Sequence, residues 1–491
     1  MKNINKILSD FENYIIESME TSQTPGVVIG IAKDNRVIYK KAFGVKKLGA
    51  KDPVDTQTIF QIGSITKAFT ATLMAILVNE KKINWQDKVI NFLPEFQMYD
   101  PWVTREFAVE DCFTHRTGLP PAAGLNLLSF GFDQKHLIHS LRYVKPVSSF
   151  RSTFCYQNIP YIVAGKIIEN ITGKSWEQNL QEHILAPLEM KHAYPNFAAL
   201  CQKEKNFAFL HKTQNSKQVA IPANWPYHNW ANTIGAGGSI CANVDDTLKW
   251  LNFQLGYNTG KILPHETICE LHRPIVTAKN DQLILLKLKE WQETLQYGLG
   301  WISSDFKPNR IVYHAGGTLG HTTMAAFIPE ENLSIVILTN NKNLLIFSLL
   351  RDFYDRYFGK QHRNWNKILY DVFQKVNAAN KIPSKTAANH SDFRRYTGTY
   401  YNEAYQNAII DLENGHLVMT LGKNKTRFAL QTWNNTCFAL NWSGGKNAVT
   451  PTFIDKPDFV TFAYDNFEQV ESMTLTLLNE LDGLGVFKKV K

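Results

Sequence analysis

The sequence predicts a two-part α/β (α+β) protein: a mixed helix-and-strand region up to about Gly359, then an all-β antiparallel region from Phe393. Three observations carry this. At 491 residues the chain exceeds one ordinary domain and suggests two or three. Helical and strand patterns alternate through the first part, whereas the chain from Phe393 onward reads as short strands between turn signals. Between them Lys381-Ile-Pro-Ser-Lys-Thr-Ala-Ala-Asn-His is polar and patternless and reads as a linker. The division is therefore 1–360, a helix and linker at 361–391, and 392–491.

The elements follow in order. Met1-Lys-Asn-Ile-Asn-Lys-Ile-Leu-Ser-Asp-Phe-Glu opens as an amphipathic helix. Val27-Val-Ile-Gly-Ile-Ala and Val37-Ile-Tyr, joined through Asp34-Asn35, form a β-hairpin. Met324–Ile328 and Leu333–Leu338, joined by Pro329-Glu-Glu-Asn, form a second. Helical runs cover 68–80, 160–172, 175–184 and 244–255, the last with Asn243 and Asp245 as caps. Another follows over 364–377. Strands at 408–412, 417–421, 428–430, 437–440, 459–463 and 473–477 imply a small antiparallel barrel or sandwich.

Composition narrows the function classes. The net charge of +9 is modest, and the lysines are scattered or paired, which gives a solvated basic exterior and not a nucleic-acid surface. Six widely spaced cysteines with no Cys-x-x-Cys argue against a zinc site and against a disulfide framework, so no metal is expected. Free thiols fit a reducing compartment. The N-terminus lacks the apolar core of a signal peptide, and no stretch approaches the roughly 20 apolar residues of a membrane span. The expected location is cytoplasmic.

Gly63-Ser64-Ile65-Thr66-Lys67 opens an apolar, helix-forming stretch. A serine and a lysine three residues apart share one helix face. Such a pair can supply a nucleophile and its base, because a serine hydroxyl attacks at neutral pH only when a neighbour takes its proton. Lysine can do so once burial lowers its pKa. Spacing alone is weak: Ser304/Lys307 and Ser443/Lys446 share it, and a helix start with a surface lysine would explain it. Later features single Ser64 out. Tyr156-Gln157-Asn158 precedes a helix, Ala236-Gly237-Gly238-Ser239 leads into another, and His314-Ala315-Gly316-Gly317 precedes the strand at Met324.

In this order, with Phe113-Thr-His-Arg-Thr-Gly-Leu-Pro, Pro187-Leu-Glu-Met and Tyr297-Gly-Leu-Gly-Trp301, the chain resembles the serine β-lactamase and penicillin-binding-protein superfamily. It looks most like the class C β-lactamase, D-aminopeptidase and esterase branch. The resemblance spans about Asn13 to Phe358. It implies an antiparallel sheet flanked by helices, an all-helical subdomain and a site at their seam. It assigns Ser64 as nucleophile, Lys67 as its base and Tyr156 as the acid/base for the leaving group. Asn158, His314 and Gly316 would bind substrate, with the oxyanion hole made by the N–H groups of Ser64 and Gly317. His115 falls in a segment that the resemblance treats as structural, and Asp245 and Asp246 read as capping charges.

His314 departs from the Lys-Thr-Gly of the best-known members. A histidine is largely neutral at pH 7 and offers a hydrogen bond where lysine offers a charge for a substrate carboxylate. That favours peptidase, amidase or esterase chemistry over efficient β-lactam hydrolysis. From Phe393-Arg-Arg-Tyr-Thr-Gly-Thr-Tyr-Tyr the chain resembles the lipocalin-like barrel that follows many such hydrolase domains, where it serves assembly or caps the site. Its aromatics (Trp433, Phe438, Trp442, Phe453, Phe459, Phe462) read as core. The expectation is a serine hydrolase without metal or organic cofactor. It would act on a peptide or small-molecule substrate, D-amino-acid peptides among the candidates, and homo-oligomers are compatible with it. The alternatives are a carboxylesterase, a weak β-lactamase, and a non-catalytic scaffold of the same fold.

Overall fold

Why the apolar run Gly26–Lys33 forms a strand buried on both faces is plain from its neighbours in the computed structural model. The structure describes residues 4–214, 217–222, 230–278, 294–306, 308–361, 363–378, 392–434, 437–440 and 458–490. By internal contacts the chain divides into two units: Met1–Asp87, Ala108–His115 and Tyr161–Asn380 in the first, and Lys88–Phe107, Arg116–Pro160 and Lys381–Lys491 in the second.

In the first unit, the described residues include one eight-stranded sheet. Its order is Arg36–Gly44, Gly26–Lys33, Leu333–Thr339, Thr322–Ile328, Asn309–Gly317, Ile302–Phe306, Leu295–Tyr297 and Val276–Ala278, with every pairing antiparallel. The strands 322–328 and 333–339 are buried throughout, so they carry continuous apolar runs where a half-exposed strand would alternate. Helix Val244–Gln254 covers one side, coming so close that a Cβ on Gly30 would lie 2.5 Å from Val244. Helices Ile4–Thr21 and Leu345–Phe358 pack on each other through Phe11 and Phe353, with ring centroids 5.3 Å apart.

Helix Thr66–Asn79 is buried from Thr66 to Leu77. Its sequence lacks a polar stripe because it has no wet face. Phe69 stacks on Trp250 at 3.8 Å, and Thr70 Oγ1 donates to the Ala236 carbonyl at 2.6 Å. The expected helix over 244–255 is capped by the Asn243 side chain, which accepts from the Asp246 N–H at 2.9 Å. Asp245 instead takes Lys40 at 2.7 Å.

The second unit holds a closed antiparallel barrel of eight described strands between Gly398 and Lys489. Tyr400, Phe428, Phe438, Phe462 and Phe487 are buried within it, whereas Phe459 and the partly buried Trp433 pack with Cys437 and Ala439 in a separate cluster on the other face of the strands. Trp442, Phe453 and the linker from Lys381 lie outside the described residues. Strand 473–477 is corrected to Val470–Leu475, followed by a helix at Thr476–Asp482, because the short stretch Leu475-Thr-Leu-Leu478 fits either period. The barrel's hairpin at Gly422–Lys425 seats on the short helix Leu125–Phe130 of the same unit. The N–H of Lys423 donates to the Phe130 carbonyl at 2.9 Å, and Asn424 Nδ2 donates to the Ser129 carbonyl at 3.1 Å. Gly422 has φ +82°, and a Cβ there would lie 2.5 Å from that of Phe130, so glycine answers both demands at this corner. Among the described residues no helix is long and apolar enough to cross a membrane.

Candidate active site

Ser64 sits in a single 3₁₀ turn, Gly63–Ile65, that feeds directly into helix Thr66–Asn79. Gly63 adopts φ +56°, a conformation that glycine takes at least cost. The chain there is pinned from three directions. Thr323 Oγ1 donates to the Ile62 carbonyl at 2.9 Å, the Ile62 N–H donates to the Ile240 carbonyl at 2.9 Å, and the Gln61 N–H donates to His321 Nδ1 at 3.1 Å. Ser64 is half-buried at the N-terminal end of the helix, where unpaired N–H groups favour developing negative charge.

Lys67 is fully buried, and its Nζ lies 3.0 Å from Ser64 Oγ and 2.7 Å from the Gly237 carbonyl. Burial drives its pKa well below the ordinary lysine value. In the neutral form one N–H still reaches Gly237, and the lone pair can take the Ser64 proton. The Ala236-Gly237-Gly238-Ser239 segment singled out in the sequence thus carries the carbonyl that holds the Lys67 amine.

The strand Asn309–Gly317 passes so close to this turn that a Cβ on Gly316 would lie 1.9 Å from the Ile62 carbonyl oxygen and 2.3 Å from Thr323 Oγ1. Gly316 is buried; Gly317, one residue on, is exposed and faces open space. The Gly317 nitrogen lies 2.7 Å from where a Cβ on Gly63 would be, which sets it beside the Ser64 turn. Ser64, Lys67, His314, Gly316 and Gly317 therefore belong to one neighbourhood of the first unit.

Tyr156 and Asn158 belong to the second unit. There the Tyr156 carbonyl accepts from the Ala122 N–H at 3.0 Å, and Gln157 is clamped between Thr117 Oγ1 at 2.8 Å and the Leu119 carbonyl at 2.7 Å. Tyr156 is half-buried and Asn158 is buried.

Three residues outside the expected site line the floor around Lys67. Its Nζ stands 5.2 Å over the Tyr161 ring. Tyr297 lies between His115, at 4.5 Å between ring centroids, and His314, whose Nε2 is 2.9 Å from the Tyr297 hydroxyl. His115 and Tyr297 stand in motifs visible in the sequence, Thr-His-Arg-Thr-Gly and Tyr-Gly-Leu-Gly-Trp, but nothing local marks them as neighbours.

Three buried histidines of this unit are held neutral. Burial, then the Lys67 charge, brings His314 down to about 3, and burial brings His272, packed against Trp301 and Phe327, to about 3. Burial likewise holds His115 well below the usual value, reinforced by Lys67 and His314. An unfolded histidine binds its proton below about pH 6.5. The folded form refuses it, so this stability is complete above about pH 6.5 and is lost as the pH falls toward the folded values. Each such residue should remove about 1.4 kcal/mol per pH unit in that window. Urea unfolding at a series of pH values should give a shallower acid slope for His272→Gln than for the wild type. Equal slopes would contradict a neutral buried His272.

A central antiparallel sheet, a buried helix carrying Ser64 and Lys67, and a glycine-edged strand beside them define the fold of the β-lactamase and penicillin-binding type of serine hydrolase. The chain belongs to the β-lactamase family: the family described as Beta-lactamase matches residues 11–346, and a domain of unknown function (DUF3471) matches residues 383–484. The unguisins hydrolase ungD' of Aspergillus campestris is 26% identical over 441 residues, covering 82% of this chain and 77% of that protein. The octameric penicillin-binding protein homologue of Pyrococcus abyssi superposes with a TM-score of 0.64 at 21% identity, covering 98% of this chain and 100% of that one. EstCE1, a hydrolase with promiscuous acyltransferase activity, does so with a TM-score of 0.61 at 18% identity over 72% of this chain and 99% of its own.

Proposed function

We propose that this protein is a serine hydrolase that forms an acyl-enzyme at Ser64, acting as a peptidase or amidase with D-amino-acid-containing peptides among its substrates. One observation carries the reading: a fully buried, charge-averse lysine 3.0 Å from a serine hydroxyl at a helix start. Ser64 Oγ attacks the carbonyl carbon as its proton passes to Lys67 Nζ. The N–H groups of Ser64 and Gly317 receive the oxyanion, an arrangement in which one donor is typically worth about 2.7–4 kcal/mol. Tyr156 protonates the leaving group, Asn158 binds the substrate carbonyl, and His314 and Gly316 form the wall of the acyl site. The roles of Tyr156 and Asn158 rest on the family motif. Water then clears the ester.

The hydrolase names of the relatives support hydrolysis as such, and the octameric homologue supports a homo-oligomer. Six cysteines outside any disulfide, four of them buried, support a reducing, cytoplasmic setting. A carboxylesterase is the second reading, favoured by the neutral His314 where a carboxylate-binding lysine would stand.

Intact-mass measurement after exposure to a fluorophosphonate tests the proposal. One adduct on the wild type and none on Ser64→Ala is the expected result. A folded wild type that stays unlabelled would overturn it and favour a scaffold.

A further inference from the structure

His314 Nδ1 lies 2.7 Å from the Ala315 carbonyl oxygen. A carbonyl only accepts, so Nδ1 carries a hydrogen and donates it. The ring is buried at 2% exposure beside Lys67 and is neutral, which leaves Nε2 with a lone pair and no proton. The Tyr297 hydroxyl, 2.9 Å away, must then donate to Nε2. Tyr161 in turn donates to the Phe113 carbonyl at 2.8 Å, so its 3.3 Å contact with the Tyr297 oxygen receives at most a share of that proton. The direction of each hydrogen bond in the chain follows from the carbonyls at its two ends.

We propose that Tyr297 is a positioning residue that fixes His314 as the Nδ1–H tautomer and so keeps the floor beside Lys67 free of a second positive charge. Among the described residues, the titratable groups facing His314 include Lys67 from the Ser64 helix, Tyr297, and His115, which packs on the other side of the Tyr297 ring. Across the sheet its register partner is Ala325, which brings no charge. A proton can enter the imidazole only at Nε2, and there the Tyr297 hydroxyl would have to give up its donation and turn to accept. The tyrosine thus opposes protonation by occupying the one site where it would occur. An imidazolium here would face the Lys67 amine as that amine accepts the Ser64 proton, placing two like charges together at the step that needs one. Tyr297 makes its hydrogen bond to His314 Nε2. It acts through His314, and its catalytic consequence rests on the hydrolase reading above.

The test reads the ring directly. Nitrogen-15 NMR of histidine-labelled wild type should show a set of neutral imidazoles, among which His314 is the one lost in His314→Gln. Its protonated nitrogen should be Nδ1 and its hydrogen-bonded bare nitrogen Nε2, with no titration from about pH 5 to about pH 9. In Tyr297→Phe the Nε2 signal should move to that of a bare nitrogen without a donor, and the onset of titration should rise. kcat/KM should fall about tenfold, mainly in kcat, with a steeper loss on the acid side. An Nε2–H tautomer in the wild type would overturn the proposal. So would an unmoved Nε2 signal in Tyr297→Phe, in either case independently of catalysis. If the nitrogen signals behave as expected but Ser64 takes no fluorophosphonate, the tautomer assignment stands and the hydrolase reading fails.

Discussion

Lys67→Met should destroy the activity and stabilise the fold. The side chain is fully buried, and burial alone drives its pKa down. At neutral pH the unfolded chain carries a protonated lysine, with an ordinary pKa of about 10.4, whereas the folded chain must shed that proton or bury the charge. Either route opposes folding. Methionine fills nearly the same volume without the penalty. Against this, the Gly237 carbonyl loses its donor, an offset of about 1 kcal/mol. A net gain of about 1–2 kcal/mol should remain at pH 7, raising Tm by about 2–6 °C. The sign can be checked by raising the pH. A depressed lysine pKa means that folding releases a proton, so wild-type stability grows as pH climbs and its deficit against Lys67→Met should vanish near pH 10. If Lys67 is the general base, its loss should lower the rate of Ser64 acylation about 10³-fold. Scanning calorimetry on both proteins from about pH 7 to about pH 10, with fluorophosphonate labelling rates alongside, measures both. Labelling of Lys67→Met at the wild-type rate would remove Lys67 from the mechanism.

How much of this was legible follows from what each residue needs. Ser64 and Lys67 could be paired from sequence because the interaction is local: three residues on a helix are one turn. Met324–Ile328 and Leu333–Leu338 could be read because a buried strand writes itself as an uninterrupted apolar run, and Pro329-Glu-Glu-Asn closes the hairpin. The strand Asn309–Gly317 was not readable as one. Its end is His-Ala-Gly-Gly, a pattern shaped by the approach of Ile62 and not by the sheet. The strands Gly398–Asn402 and Val486–Lys489 close the barrel across almost its whole length in sequence, and neither alternates strongly enough to announce the pairing. Tyr297 is the sharpest case. Its partner His314 lies seventeen positions on, and the bond between them exists only because Leu295–Tyr297 and Asn309–Gly317 flank the same strand, Ile302–Phe306. The family motif flagged the segment without giving the tyrosine a task.

The glycines Gly316 and Gly317 should respond oppositely to the same added methyl group. At Gly316 a Cβ would stand 1.9 Å from the Ile62 carbonyl oxygen and 2.3 Å from Thr323 Oγ1. Neither can yield cheaply, since the first is backbone and the second holds that same carbonyl at 2.9 Å. Gly316→Ala must push the strand away from the Ser64 turn, lowering stability by about 3 kcal/mol and abolishing labelling of Ser64. At Gly317 a Cβ meets nothing within 4 Å. Gly317→Ala should fold with stability within about 0.5 kcal/mol of the wild type. If the Gly317 N–H is an oxyanion donor, however, the new methyl stands in the space that the acyl group needs, and kcat/KM should fall about 10²-fold. Urea unfolding and labelling rates on the two variants separate the possibilities. A Gly317→Ala protein that is stable and reacts as fast as the wild type would mean that the carbonyl binds elsewhere, and a stable Gly316→Ala protein would mean that the strand and the Ser64 turn are not in the contact on which the site is built.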